Sequence, residues 1–242
     1  MRYAKFGRFA TGTLFAIGLA IAATTIQSAQ TESLGPPPMA VLRGKIRFTG
    51  TAPAVQRLNM AGDAYCASFV NTAETVRVSD QGLENVMVFV SSPVGGIAPT
   101  RAVVTLDQRD CRFDPHVLTL QAGQTLIVQN SDKTLSNVHA FTQINAPYNI
   151  GQPGPMKATH IFDKPEVPIP IRDDVHGWKS AVIGVFSHSY HTVSKTGGLF
   201  ELTMPVGTYE ITAMHEVYGA SKQMVTVRPG ENPALDFVFK EP

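Results

Sequence analysis

Short runs of alternating apolar and polar residues, separated by Gly- and Pro-rich turns, cover the chain from about residue 41 onward. Alternation with a period of two puts successive side chains on opposite faces, so each run predicts a β-strand. No later stretch has helical periodicity over a useful length, although residues 58–69 leave room for one short turn. The pattern therefore predicts an all-β chain. Strands are expected at residues 41–48, 83–90, 181–186, 197–202, 204–213, 223–227 and 235–239, and two more on either side of Ala122-Gly123.

The first 29 residues have the composition of an export signal. Three basic residues within the first eight precede an uncharged apolar run from Phe9 to about Ile26, as in secretory signal peptides. We expect cleavage after Ala29 and a periplasmic or extracellular mature protein. Because the run of about 18 residues is near the lower limit for spanning a bilayer, an uncleaved N-terminal membrane anchor is the alternative. Residues 30–40, with three consecutive prolines, are expected to form an extended linker.

Charge and cysteine content narrow the classes of partner and compartment. Without the three basic residues of the signal segment, 17 basic residues face 19 acidic ones, and no basic patch interleaved with aromatic residues is present. A nucleic-acid partner is therefore not expected. Cys66 and Cys111 both lie in the exported part, where an oxidising compartment favours a disulfide. The alternative, a metal site of both thiolates with His116, lacks a fourth ligand.

Residues 113–179 carry the most specific pattern. Two predicted strands lead to Asn130-Ser131-Asp132, then to Ser136-Asn137-Val138-His139, and the segment closes with Asp173-Asp174-Val175-His176-Gly177-Trp178-Lys179. This resembles the cupredoxin pattern, in which N-x-D is followed by H-N-V and later by C-x-x-H-x-x-M. The resemblance implies a Greek-key β-sandwich and a type 1 copper site. Only one of the four ligand positions keeps its ligand in this sequence.

The ligand changes predict a degenerate copper site at Ser136, Asp173, His176 and Lys179, where the cupredoxin pattern has His, Cys, His and Met. Type 1 copper needs a thiolate, two imidazoles and a weak thioether, whereas Lys179 brings a positive charge that opposes a metal cation. We expect Lys179 Nζ to lie within about 4 Å of Asp173 or Asp174 as an ion pair, with His176 hydrogen-bonded beside it. The alternative is a remodelled metal site, with copper as its metal, drawn from His139, Asp173, His176 and His215.

A second resemblance concerns the flanks of this segment. Residues 196–202, Thr-Gly-Gly-Leu-Phe-Glu-Leu, and residues 205–209, Pro-Val-Gly-Thr-Tyr, are similar to the signature of carboxypeptidase regulatory-like domains, which are small transthyretin-like sandwiches. The resemblance implies one such sandwich from residues 41–100 and 182–242, interrupted by a cupredoxin-like unit at residues 101–181. Exported bacterial proteins named for methylamine utilisation carry a similar tandem pattern.

Other motifs add no enzyme chemistry. His188 and His191 lie in a polar turn, and His215-Glu216-Val217-Tyr218-Gly219 lacks the second histidine of a zinc-protease helix. No nucleophile elbow or phosphate-binding loop is present. The sequence therefore predicts an exported, non-enzymatic binding or accessory protein without a cofactor, whose partner is another periplasmic or extracellular protein. It would meet a membrane only through an uncleaved N-terminus. The alternative is a periplasmic metal-binding or electron-transfer protein with a His/Asp copper site.

Overall fold

The computed structural model describes residues 38–94 and 100–241. Within these ranges nearly all regular structure is β, interrupted by two short 3₁₀ turns at Cys66–Ser68 and Thr196–Gly198. The predicted all-β class is therefore confirmed, and the first of these turns lies within residues 58–69, where the sequence left room for one. No helix in the described ranges is long and apolar enough to cross a membrane. The predicted signal segment and most of the predicted linker lie outside the described residues.

Strands follow one another along both described ranges. In chain order they are β1 (Met39–Thr49), β2 (Val78–Ser79), β3 (Gly82–Leu83), β4 (Met87–Val90), β5 (Val104–Arg109), β6 (Arg112–Asp114), β7 (Val117–Gln121), β8 (Thr125–Asn130), β9 (Ser136–Ala140), β10 (Tyr148–Gln152), β11 (Met156–Ile161), β12 (Glu166–Arg172), β13 (Ser180–Phe186), β14 (His191–Val193), β15 (Leu199–Pro205), β16 (Gly207–His215), β17 (Gly219–Val227) and β18 (Phe237–Lys240).

The first sandwich is built from strands at the two ends of the described chain. One sheet has the order β15-β1-β3-β2, with β18 also pairing with β1, and the other has the order β14-β4-β16-β17. Apolar side chains of both sheets meet in a single core that includes Leu42, Phe200 and Phe237 from one sheet and Val88 and Ile211 from the other. Alternation along these strands thus buries one face of each sheet against the other.

The second sandwich is one continuous stretch of chain, β5 to β13. Its sheets have the orders β11-β8-β5-β6 and β10-β9-β12-β13-β7, and their shared core includes Leu106, Phe113, Val128, Ile169 and Ile183. The pairs β5–β8 and β13–β7 are parallel, so the chain crosses between the sheets instead of forming hairpins throughout. The boundary predicted between residues 181 and 182 falls inside β13, which pairs with β7 and β12.

The two sandwiches pack against each other through a small apolar cluster. Met87 of β4 meets Val117 of β7 and Val182 and Phe186 of β13, and the rings of Phe89 and Phe186 lie 4.7 Å apart. Within β13, a Cβ at residue 184 would come within 2.6 Å of the Met87 sulfur. Glycine at that position therefore allows the close approach of the two sheets.

Two predicted strands are each divided in the structure. Residues 83–90 were expected to form one strand, but β3 and β4 belong to different sheets and are separated by Asn85, whose φ is 62°. Residues 204–213 divide in the same way between β15 and β16, next to Gly207 with a φ of 151°. Apolar residues lie on both sides of each bend and enter the same core, so an apolar run alone does not mark where the chain crosses from one sheet to the other.

Candidate functional site

The candidate site lies at one end of the second sandwich, where strands of both sheets finish. The loop of residues 173–179 joins β12 to β13, Asp132 follows β8, and Ser136 begins β9. Gln108, near the end of β5, pairs with Asn130 of β8. These elements bring polar side chains to the edge of an apolar core, where unpaired charges are costly.

Lys179 occupies the centre of the site, and its side chain is fully buried. Its Nζ donates hydrogen bonds to Ser136 Oγ at 2.7 Å and to Gln108 Oε1 at 3.4 Å. The same atom lies 3.5 Å from Asp173 Oδ2 and 3.6 Å from Asp132 Oδ2. The predicted ion pair between Lys179 and Asp173 is therefore confirmed. The second carboxylate, Asp132, was not identified from the sequence.

Asp173 accepts hydrogen bonds through both carboxylate oxygens. Oδ1 accepts the backbone N–H groups of Val175 at 2.8 Å and His176 at 3.0 Å. Oδ2 accepts the Ser136 hydroxyl and the Nδ1–H of His176, the latter at 3.1 Å. Burial acts to raise the pKa of Asp173, but these hydrogen bonds and the charge of Lys179 outweigh it, so the pKa is lowered. Asp173 is thus a buried, ionised carboxylate.

The other ring nitrogen of His176 faces a carboxylate from a distant part of the chain. Nε2 lies 3.3 Å from Oδ2 of Asp63, in the segment between β1 and β2. Asp63 also accepts the Thr134 hydroxyl and the Cys66 N–H, both at 2.7 Å. Chiefly through these two hydrogen bonds, the pKa of Asp63 is lowered to about 2. The only sequence signal for Asp63 is its place three residues before Cys66, the spacing of a local side-chain-to-backbone turn.

The predicted disulfide between Cys66 and Cys111 is confirmed, with Cα atoms 5.6 Å apart. It is buried beside the site with Met60 and Trp178. The Trp178 indole donates to the Cys111 carbonyl at 3.1 Å, and the Cys111 N–H donates to Asp132 at 2.9 Å. The disulfide therefore fixes the segment that carries Asp63 against the strands that carry the Lys179 network.

The alternative metal set of His139, Asp173, His176 and His215 is wrong as a single site. His139 is partly exposed, bonds to Asp174 at 3.1 Å and stacks on Phe141 at 4.1 Å. His215 is buried in the first sandwich, where its Nδ1 accepts the N–H groups of Val217 and Tyr218. Only Asp173 and His176 of this set contact each other. The positions of His139 and His215 depend on how distant strands pack, and the spacing of residues along the chain does not predict that packing.

Two further histidines, His116 and His188, make hydrogen bonds elsewhere in the fold. His116, the candidate partner of the two cysteines, instead bonds to Glu216 and to the Ser180 carbonyl and so links the two sandwiches. His188 is buried and bonds to the Val90 carbonyl at 2.9 Å. Among the residues in the described ranges, the one group close enough to share a metal ion is Asp63, Cys66 and His176, and Cys66 is oxidised in it.

The donor set does not fit a type 1 copper ion. Such a site needs a thiolate and two imidazoles, whereas the positions that the resemblance assigns to the ligands hold a hydroxyl, a carboxylate, one imidazole and a buried ammonium. The one imidazole is that of His176, whose ring nitrogens face the carboxylates of Asp173 and Asp63. The arrangement can hold opposite charges in a buried network, and it offers copper no thiolate.

No protein-family model and no curated protein matches the chain. Solved structures with partial similarity include a purple cupredoxin from Nitrosopumilus maritimus (14% identity, 34% of this chain and 98% of that chain, TM-score 0.30) and amicyanin from Paracoccus versutus (17% identity, 40% and 96%, TM-score 0.31). A copper-containing nitrite reductase from Thermus scotoductus is 20% identical over 39% of this chain, at a TM-score of 0.33. This chain spans 25% of that enzyme. Similarity at these TM-scores assigns neither fold nor function.

Proposed function

We propose that the protein is an exported, non-enzymatic binding or accessory protein whose central sandwich is a cupredoxin-like scaffold with a degenerate copper site. One observation carries the proposal. The Lys179 ammonium is fully buried between Asp132 and Asp173 and donates to Ser136. Lys179, Asp173 and Ser136 stand where the cupredoxin pattern has its Met, Cys and one of its His ligands.

The ion network takes over the electrostatic role of a metal cation. A positive charge between buried carboxylates compensates them in a region from which water is excluded. A copper ion at the same place would have to displace the ammonium or lie within a few ångströms of it, and like charges repel strongly at that distance. The network therefore supports a scaffold that folds without copper.

The burial of the network also supports a non-enzymatic role. Ser136 and Lys179 form a close hydroxyl–amine pair, an arrangement that can act as a nucleophile and base when a substrate reaches it. In this protein both side chains are buried, and their polar atoms bond to neighbours within the network. A substrate would have to unfold this end of the sandwich to reach the hydroxyl.

Export and the identity of the first sandwich belong to the same proposal. The composition of the first 29 residues and the buried disulfide both suit an oxidising compartment. For the regulatory-like sandwich, Gly197 and Gly198 of the signature have positive φ values of 73° and 72°, and Phe200 after them is buried in the core. The partner we propose is a periplasmic or extracellular protein.

The test uses the full chain, expressed with its native N-terminus and recovered from the periplasm. N-terminal sequencing reports cleavage, metal analysis reports any bound ion, and titration of the oxidised protein against a copper chelator reports affinity. We expect a cleaved, disulfide-bonded protein that binds no stoichiometric copper. One equivalent of tightly bound copper that is lost in His176→Gln would instead favour the metal-binding alternative.

A further inference from the structure

We propose that reduction of the Cys66–Cys111 disulfide creates a metal-binding site, formed by both thiolates with His176 and Asp63, for a thiophilic divalent cation such as Zn²⁺. This inference concerns the reduced protein, whereas the proposed function concerns the oxidised one. Either can therefore fail without the other. The site lies beside the Lys179 network and shares only His176 with the positions that the cupredoxin resemblance assigns to copper.

The ligand atoms are already gathered in the oxidised protein. One ligand atom from each of Asp63, Cys66 and His176 lies within 4.8 Å of the other two. Cys111 Sγ is bonded to Cys66 Sγ, so reduction frees a fourth ligand at the same place. Tetrahedral zinc has bonds of about 2.0 to 2.3 Å to nitrogen, oxygen and sulfur. Neighbouring ligand atoms are then between about 3 and 4 Å apart, roughly 1 Å closer than that upper bound.

His176 is oriented as a metal ligand should be. Its Nδ1–H donates to the Asp173 carboxylate at 3.1 Å, which leaves Nε2 directed toward Asp63 at 3.3 Å. Metal-binding histidines typically donate their second ring N–H to a carboxylate, which fixes the ring and strengthens the ligand. Asp173 is itself held by the backbone N–H groups of Val175 and His176. The carboxylate that would support the metal-binding histidine is thus already in position in the oxidised protein.

Asp63 provides both negative charge and an approach from solvent. Its side chain is 20% exposed, whereas that of His176 is 3% exposed, and both cysteines are fully buried. The Thr134 hydroxyl and the Cys66 N–H hold the carboxylate in place at 2.7 Å each. A cation entering past Asp63 would therefore meet a fixed carboxylate first, and the imidazole and the freed sulfurs behind it.

Reduction of the Cys66–Cys111 disulfide requires a reductant, and a dithiol can supply the electrons and protons. Two electrons and two protons pass from the dithiol to the Cys66–Cys111 bond, which yields two protein thiols and a disulfide in the reductant. The cation then replaces both thiol protons, because thiolates are the metal-binding form. Reoxidation by a disulfide or another two-electron oxidant re-forms the bond and releases the metal.

The test compares oxidised and reduced protein with Co²⁺ as a spectroscopic probe and Zn²⁺ as competitor. We expect reduced protein to bind one equivalent of Co²⁺, with a near-ultraviolet thiolate-to-cobalt charge-transfer band that one equivalent of Zn²⁺ removes. Oxidised protein should show no such band. Asp63→Asn and His176→Gln should each weaken binding at least about tenfold, since even an outer-shell change costs that much.

Matched controls separate this site from general cysteine binding. Asp174→Asn and His139→Gln alter a carboxylate and an imidazole on the neighbouring exposed pair and should leave cobalt affinity unchanged. Circular dichroism and a thiol count establish that each reduced variant is folded with two free thiols. If folded, reduced protein gives no charge-transfer band, the proposal is overturned. It is equally overturned if a band appears but is insensitive to both Asp63→Asn and His176→Gln.

Discussion

Replacing Lys179 with methionine tests the physical basis of the buried network most directly. Methionine has a similar length and preserves packing, but it removes the ammonium that lies 3.5 Å from Asp173 and 3.6 Å from Asp132. Two buried carboxylates would then face each other without compensation. Removing one partner of a buried ion pair costs about 3 to 5 kcal/mol. We expect Lys179→Met to destabilise the oxidised protein by this amount at pH 7, and more than Lys179→Arg does.

The assay is urea denaturation of the oxidised protein, followed by the fluorescence of Trp178. With an m value of about 2 kcal/mol/M, the expected loss corresponds to a midpoint lower by roughly 1.5 to 2.5 M. Lys222→Met is the matched control, because it removes an ammonium from the exposed pair with Glu210 and should leave the midpoint nearly unchanged. Solvent screens such surface pairs.

The pH dependence provides a second, independent measurement. The pKa of Asp173 is lowered from its ordinary 3.8, so its stabilising contribution is present above that pH and is lost as pH falls through the folded-state pKa. In Lys179→Met we expect burial to prevail and raise the pKa of Asp173. The difference in unfolding free energy between the parent protein and Lys179→Met should then become smaller as pH falls from 7 toward 4. A midpoint equal to that of the parent protein, or a difference independent of pH, would refute this reasoning.

Three further predictions follow from other contacts. Replacing both cysteines with serine should destabilise the protein by about 4 kcal/mol in non-reducing urea denaturation, because the disulfide closes a 45-residue span; an unchanged midpoint would contradict this. Burial lowers the pKa of His215 to about 4 from 6.5, so the stability of the protein should fall between pH 6.5 and 4 as the unfolded chain gains a proton. The variant His215→Asn should lack about 2 kcal/mol of that loss at pH 5. Parallel stability–pH profiles of the two proteins would argue against this. Copper binding with an intense visible thiolate band should return in the triple variant Ser136→His, Asp173→Cys, Lys179→Met; a folded, colourless copper-treated variant would contradict it.

The features that the sequence predicted correctly depend on residues that are close together in the chain or on residue types with one possible partner. Alternation with a period of two is a property of neighbouring residues, so the all-β class and the strands of the predicted runs followed from it, whereas β5, β6 and β9 to β12 of the second sandwich were not predicted. Cys66 and Cys111 have no other cysteine to compete with in this chain, which left one disulfide to expect. Asp173 and Lys179 lie on one short loop, so their opposite charges could be expected to meet when that loop closes.

Only the tertiary structure decided which distant groups complete the site. Asp63 reaches His176 across 113 positions in the sequence because the buried residues Met60, Cys66 and Cys111 hold its segment against the second sandwich. Asp132 joins Lys179 because β8 ends beside the loop that follows β12. His139, by contrast, lies on β9 but stacks on Phe141, away from the buried network. These contacts depend on how sheets pack and on which segments cover their ends. Hydrophobic alternation specifies only which face of each strand is buried, and it therefore leaves such contacts open.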